Sequence, residues 1–397
     1  MRKRREVERF LQDLKAKINV FDIAFRPRDK NMDALAELDI HIIPYCGIPC
    51  FLSTKRTKVM TNKIECPYCE GKASLQKKTR ELPYRKEVFK VTEHFYKCEK
   101  CGEEFTTTES DTITLTQAHN QYREKYNILF PEEIVAIKEM YELSATKMSE
   151  VLGLGVNGYS NYEKGEMPNP AISNLIKTAA RPNVFSDLLE NARVYFTENG
   201  FKKIKMRIIA LLNEAKKIRP FYAVLNVYND PNNYTGYKKI DPNKIANLVT
   251  CFIGSSNPYY NSRLKLNKQL FYTDFRHYKM YGRSITGLSY RAIKYGPVPA
   301  NYDNIYTYLE NEQVIVSNWA KTSNGSALES FTTDAEFKST VFSRDELETI
   351  GDITTKFKDI PSWDMVELSH KERAWKELEP GKQLISYQEY AFDLQGA

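Results

Sequence analysis

No apolar run in this chain of 397 residues approaches the 18 needed for a helix to cross a bilayer. The opening Met1-Arg-Lys-Arg-Arg5 is basic, but Glu6, Glu8, Gln12, Asp13 and Lys15 follow where a signal peptide needs an apolar core. A cytoplasmic protein with no membrane partner is therefore expected. Catalytic strings are missing as well. No HExxH, GxSxG or Walker-type sequence occurs, so His277 and His370, although near acidic residues, lack the pattern of a hydrolase or metalloenzyme. Cysteine is too sparse and uneven for a disulfide frame. There are seven, and four of them fall in two CxxC pairs, which suits metal binding in a reducing compartment. What is present is length for two to four domains and a net charge of +7, which permits contact with an anionic polymer.

The two pairs are Cys66-Pro-Tyr-Cys69 and Cys98-Glu-Lys-Cys101, 28 residues apart. Each CxxC turn aims two thiolates at one point, and two such turns satisfy tetrahedral zinc. Four thiolates leave no open position for a water nucleophile, so the zinc is expected to be structural. Free buried thiols or a redox dithiol would not account for two matched pairs. Segments 86–92 and 94–97 alternate as strands do, which points to a zinc-ribbon-like sheet. His94 could substitute as a ligand or sit at a strand edge. Cys46 and Cys50 form a C-x3-C outside the pattern.

Further along, the spacing predicts a helix over Glu132–Leu143, a second over Ser144–Leu152, a turn at Gly153 and Gly155, and a third helix from near Val156 to near Gly165. Two short helices around a glycine turn, the second exposing Asn157, Ser160 and Asn161, fit a helix-turn-helix that enters the major groove of DNA. Small helix pairs that bind nothing have the same spacing. Lys147, Lys164, Lys177 and Arg181 are candidate phosphate contacts or plain solvated charges. Residues 153–158 also match GxGxxG, but they neither follow a strand nor open a βαβ unit, which excludes a dinucleotide site. The string GVNGYSNYEKGEMPNP resembles the Xre/Cro-type helix-turn-helix, most closely that of the MqsA-like antitoxins, and the resemblance runs from about Met60 to Glu190. It implies that Asn157, Tyr159, Ser160, Asn161 and Lys164 form the DNA-binding set, with Asn157 and Asn161 at base edges. The second position is usually Arg in that family. An Asn there removes a bidentate guanidinium and changes the operator that can be read. The resemblance also implies a structural zinc domain able to bind the toxin.

A helical block follows, with Ser186–Thr197 as one helix, a break at Glu198-Asn-Gly200, and Phe201–Lys217 as another. Its apolar face, including Ile204 and Ile208, serves either core packing or a dimer contact. Beyond residue 236 the pattern alternates helices, among them Asp241–Ile253, Arg263–Tyr281, Arg344–Lys358, Ser362–Lys376 and Ser386–Leu394, with a hairpin of Val314–Ala320 and Ala327–Thr333. The strings LNKQLFYTDFRHYKMYGR, YRAIKYGPVPANYDNIY and LSHKERAWKE resemble the Panacea domain, an α+β module of many antitoxins. That resemblance implies a toxin-binding surface, expected around Tyr272, His277, Tyr295, Gly296, Pro297, Tyr302 and Trp375. Aromatic residues in such numbers also build cores. Residues 1–40, EVERFLQDLKAKI followed by FRPRDKNMDALAELDI, resemble the start of MqsR-family toxins, which are RNases, with helices expected over Glu6–Val20 and Met32–Leu38.

The expectation is a multidomain, mainly α protein with small β elements: a helical extension or truncated toxin remnant at 1–59, a zinc domain at 60–115, the helix-turn-helix at 116–185, a connector at 186–235 and a Panacea-like module at 236–397. Function follows as an antitoxin that neutralises a cognate toxin, an MqsR-type RNase being one candidate, and represses its own operon as a homodimer on operator DNA. The alternative is a stand-alone zinc-containing regulator whose C-terminal half senses a ligand or a phage component. An enzyme is the third class.

Overall fold

The computed structural model describes residues 60–224, 230–321 and 327–396. The helices expected within 1–59, the toxin-like string and the Cys46/Cys50 pair lie outside the described residues. The described chain is mainly helical with small antiparallel sheets.

It begins with a four-stranded antiparallel sheet in sequence order: β1 (Lys63–Glu65), β2 (Lys72–Tyr84), β3 (Glu87–Cys98) and β4 (Glu104–Phe105). The segments read as 86–92 and 94–97 are one strand, and its partner β2 was not legible because Lys77, Lys78, Arg80 and Glu81 face solvent. The hairpin turns at Arg85-Lys86, with Arg85 in the left-handed region (φ 55°).

Helix α1 (Thr108–Tyr126) packs against β3. It runs straight through the expected boundary at 115/116. Its sequence hides it, because polar residues interrupt the buried face that Ile113, Ala118 and Tyr122 share. Ser110, Thr114, Gln117, Asn120 and Arg123 are all buried there. Thr107 caps it, its hydroxyl accepting from the Ser110 N–H.

Next come α2 (Pro131–Met140), α3 (Ala145–Leu152), α4 (Gly158–Glu163), α5 (Pro170–Ala179) and α6 (Pro182–Asn191). They share one core of Ile134, Ile137, Tyr141, Met148, Tyr159 and Phe185, in which Tyr141 stacks on Phe185 with ring centroids 3.7 Å apart. Glu198-Asn-Gly200 does not break a helix. It is the first turn of α7 (Glu198–Val224), where the Thr197 hydroxyl accepts from the Gly200 N–H. Ile204 and Ile208 of α7 are buried in the same core, while Met206 and Ile209 face solvent.

The C-terminal module is built around α9 (Arg263–Tyr281), which is buried over most of its circumference. Around it lie α8 (Pro242–Ser255), the hairpin of β5 (Tyr290–Ile293) and β6 (Gly296–Pro299), α10 (Tyr302–Asn311), the hairpin of β7 (Val316–Lys321) and β8 (Ala327–Thr332), and α11 (Arg344–Phe357). The single helix expected at 362–376 is two, α12 (Ser362–His370) and α13 (Arg373–Leu378). Glu372 parts them in an extended conformation. Its buried carboxylate accepts from the Gln395 and Gly396 backbone N–H groups, at 3.1 and 2.7 Å. A short α14 (Tyr387–Tyr390) and a 3-10 turn, Ala391–Asp393, are the last described elements.

These parts are not beads on a string, since residues 57–397 form one compact unit. Helix α1 is its hub. The Gln117 side chain exchanges hydrogen bonds with the Thr92 backbone, 2.8 Å each way, and its oxygen accepts from Gln388 at 2.7 Å. The Asn120 amide donates to the Gly282 carbonyl at 2.7 Å. Arg283 pairs with Glu132 and stacks over Phe130.

Candidate metal centre and interaction surfaces

The sheet register places Cys98 opposite Ala73, and the ends of β1 and β3 bring both CxxC turns together. The Sγ atoms of Cys66, Cys69, Cys98 and Cys101 all lie within 4.8 Å of one another, with Cys66–Cys101 at 3.8 Å and Cys69–Cys98 at 3.4 Å. A tetrahedron with Zn–S bonds of about 2.3 Å has edges of about 3.8 Å. The Lys100 and Cys101 N–H groups donate to the Cys98 sulfur at 3.3 and 3.4 Å, and the Cys101 N–H leads in pulling that thiol down to about 6. Four sulfurs, so spaced and so assisted, fit structural Zn2+ and leave no position for a substrate water. His94 is no part of this cluster. It is buried farther along β3.

On the helix-turn-helix, Gly153 ends α3 in the left-handed conformation (φ 64°), and Asn157 takes the same conformation (φ 64°) to start α4. The third helix is therefore shorter than the spacing predicts. Tyr159, expected among the DNA contacts, belongs to the core instead. It is fully buried, with its hydroxyl on the Ile134 carbonyl at 2.7 Å and its N–H on the Ser149 hydroxyl at 2.9 Å. It anchors the helix that holds Asn157, Asn161 and Lys164 in solvent and Ser160 half-buried. Val156, 92% exposed, extends that edge as a bare apolar group beside Asn157, and nothing in the hydrophobic spacing marked it for solvent. From the other side, Arg123 of α1 reaches under α4 and donates to the Gly165 carbonyl at 3.1 Å. Burial lowers this guanidinium to about 10, still charged at neutral pH. Of the other candidate phosphate contacts, Lys147 is held by Glu150 and the Tyr195 carbonyl, both at 2.6 Å, and Lys177 by the Asn127 carbonyl at 2.8 Å. Arg181 is exposed.

In the C-terminal module the expected toxin surface divides in two. Tyr272 is buried, its hydroxyl 3.3 Å from Glu372, and His277 is buried, its Nδ1 3.0 Å from the Thr349 hydroxyl and its ring held at about 3 by burial. Gly296 and Pro297 turn inward over Lys268. The Pro297 carbonyl accepts from the lysine Nζ at 2.9 Å. At Gly296 (φ 94°) a Cβ would stand 2.2 Å from the Ser369 hydroxyl, so no other residue fits. These four are structural because α9 is enclosed on nearly all sides. Tyr302 is half-buried, and Trp375 donates from its indole to the Ile293 carbonyl at 2.8 Å while stacking on His370. Tyr295 stays open at 44% exposure, and beside it stands Trp363, 63% exposed and edge-on at 5.9 Å. Trp363 was missed by sequence reasoning. Its polar neighbours Ser362 and Asp364 were the signal that it does not enter a core. No helix among the described residues is long and apolar enough to cross a membrane.

Two families match this chain. The family described as "Antitoxin component of bacterial toxin-antitoxin system, MqsA" matches residues 64–193, and the family described as "Antitoxin SocA-like, Panacea domain" matches residues 266–376. The Escherichia coli (strain K12) protein named antitoxin MqsA is 30% identical over 121 residues, which are 29% of this chain and 90% of that protein. No solved structure matches.

Proposed function

This chain belongs to the MqsA antitoxin family, and from that premise we propose that it neutralises a cognate toxin through its C-terminal module and represses its own operon through α4. It acts in the cytoplasm by occupying surfaces and turns over no substrate. The observation that carries the reading is the edge Val156-Asn157 with Ser160, Asn161 and Lys164. A helix with Tyr159 locked inward, Tyr162 packed against the same core and Asn161 left in solvent beside Asn157 and Lys164 presents a polar edge to a partner. Asparagine side chains recognise adenine through paired hydrogen bonds, and an exposed valine suits a thymine methyl. Lys164 has no ion pair among the described residues and suits a phosphate. Operators with paired half-sites require two copies, and the exposed Met206 and Ile209 of α7 offer an apolar strip for a homodimer. The toxin, of which an MqsR-type RNase is one candidate, docks on the Tyr295–Trp363 pair, because exposed aromatics at a rigid turn are typical binding hot spots.

Two measurements on the full chain test this. Asn157 is best replaced by glycine, since alanine at φ 64° would add backbone strain. Asn157→Gly should weaken binding to DNA from upstream of its own gene by about 1–3 kcal/mol while leaving random DNA untouched. Equal loss on both would remove the base contact. Co-expression with the adjacent toxin gene should restore growth with the native chain and fail with the Tyr295→Ala/Trp363→Ala variant. Full rescue by that variant would move the toxin surface elsewhere.

A further inference from the structure

Between the zinc sheet and the C-terminal module lies an open cavity of about 640 Å³ that neither the metal centre nor the DNA-reading edge uses. Its wall carries Lys77 and His94 from β2 and β3, and Lys279, Lys371, Arg373 and Lys376 from the C-terminal module. Asp393, on the same wall, is neutralised between Lys77 and Arg373. Lys279 holds the Leu394 carbonyl at 3.0 Å. The side chains of Lys371 and Lys376 have neither an ion pair nor a hydrogen bond among the described residues. Arg373 is further shared with Glu377 and Glu389, at 3.2 and 3.7 Å, so the positive excess rests on Lys279, Lys371 and Lys376, in a concave space that concentrates anions.

A second observation is independent of charge. His94 is only 4% exposed, yet its Nδ1 is buried with no hydrogen-bond partner. Buried polar atoms of this kind are rare, and each calls for a partner. Burial first, and then Lys77 and Lys279, lower this imidazole to about 4, so it is neutral. A neutral ring nitrogen pairs with either group a nucleotide offers, a phosphate oxygen or a base amine. Its ring lies 5.2 Å from that of Phe392, and Leu75 and Leu394 complete an apolar part of the wall, with the amides of Asn62, Gln76 and Gln395 around it.

We propose that this cavity is a nucleotide-binding site, the Lys279, Lys371 and Lys376 head groups taking the phosphates and the Leu75–Phe392–Leu394 floor taking the base. Size, cations and apolar floor together select a small phosphorylated ligand over a bare anion. Because its two walls belong to the zinc sheet and to the C-terminal module, an occupied site adds to the contacts that already tie the two together.

The test is calorimetric titration of the full zinc-loaded chain with ATP, GTP, inorganic pyrophosphate and inorganic phosphate at constant ionic strength. A nucleotide should bind once per chain, more tightly than pyrophosphate, with phosphate weakest. The surface variant Lys371→Glu/Lys376→Glu should weaken nucleotide binding at least about tenfold with zinc content and DNA binding unchanged. His94→Gln, checked for an unchanged melting profile, should narrow the gap between nucleotide and pyrophosphate. Absence of heat with both nucleotides, equal affinity for pyrophosphate, or indifference to the double charge reversal would each overturn the assignment. Displacement of ATP by a short single-stranded RNA at lower concentration would overturn it too, replacing the nucleotide with a nucleic-acid strand.

Discussion

Around Cys66 and Cys98 only Ala73 and Tyr96 complete the buried apolar cluster, and long stretches of β2 lie bare to solvent. Around α9, by contrast, Phe271, Phe275, Tyr278, Tyr290 and Tyr387 pack ring against ring, and charged groups sit wholly inside. Asp274 there accepts from the N–H groups of Ile285 and Thr286, at 2.8 and 2.9 Å, and from the Tyr290 hydroxyl at 2.7 Å. The first region has too little core to hold its own shape and is stapled by a metal, as small folds must be. The second has core to spare and uses buried polar groups to select one arrangement of it. The same chain thus keeps its shape by a metal ion at one end and by packed rings and buried hydrogen bonds such as those of Asp274 at the other.

Removing the metal gives the largest effect. Chelation, or Cys98→Ser, should release on the order of 10 kcal/mol of coupled folding energy from the sheet. In hydrogen exchange, amides of β1 to β4 should lose protection while those of α9 keep theirs. Simultaneous loss in α9 would break the contrast. The converse experiment is Asp274→Ala, which strands four buried donors, the Thr286 hydroxyl being the fourth. It should cost about 3–5 kcal/mol in the C-terminal module and leave zinc stoichiometry at one. A variant that lost zinc would show the two regions to be one cooperative body.

Next comes pH. Burial lowers the Lys268 ammonium to about 7, well under its value in an unfolded chain. Between those two values the unfolded chain binds the extra proton, so stability rises with pH, by up to about 1.4 kcal/mol per unit. Lys268→Met should flatten that rise in denaturation curves taken from pH 7 to above 9. An unaltered slope would place the titration on another group. Smallest is Lys63→Ala. The Lys63–Glu99 pair beside the metal is 3.0 Å long but 60% and 50% exposed at its two side chains. The loss should stay within about 0.5 kcal/mol, because surface pairs add little to what zinc supplies. A larger loss by thermal melting would mean the knuckle leans on more than its metal.

The parts legible in the sequence were those whose chemistry is periodic or spaced. Cys66 to Cys101 announced a tetrahedral ligand set, and the apolar spacing of Leu264 to Tyr278 marked α9 to the residue. What stayed hidden has one cause. Helix α1 buries Gln117, Asn120 and Arg123 among Ile113, Ala118 and Tyr122, so its apolar stripe is broken. Glu198-Asn-Gly200 reads as a break but is capped by Thr197, and Glu372 splits a helix through bonds to Gln395 and Gly396 that no local pattern foretells. Tyr272, His277 and Gly296 carry the strings that resemble the toxin-binding family, yet burial gives them architecture. Tyr159 did the same on α4. Polar groups satisfied at long range look, in sequence, like polar groups left for a partner.

Helix α1 also sets an order of events during synthesis. Asn120 waits for the Gly282 carbonyl, 162 residues downstream, and Gln117 for Gln388, 271 residues downstream. Until the ribosome has made those positions, Asn120 and the Gln117 oxygen lack these two partners. Residues 108–191 are finished early in translation, and the clasp that joins α1 to the C-terminal module shuts only when nearly the whole chain has emerged.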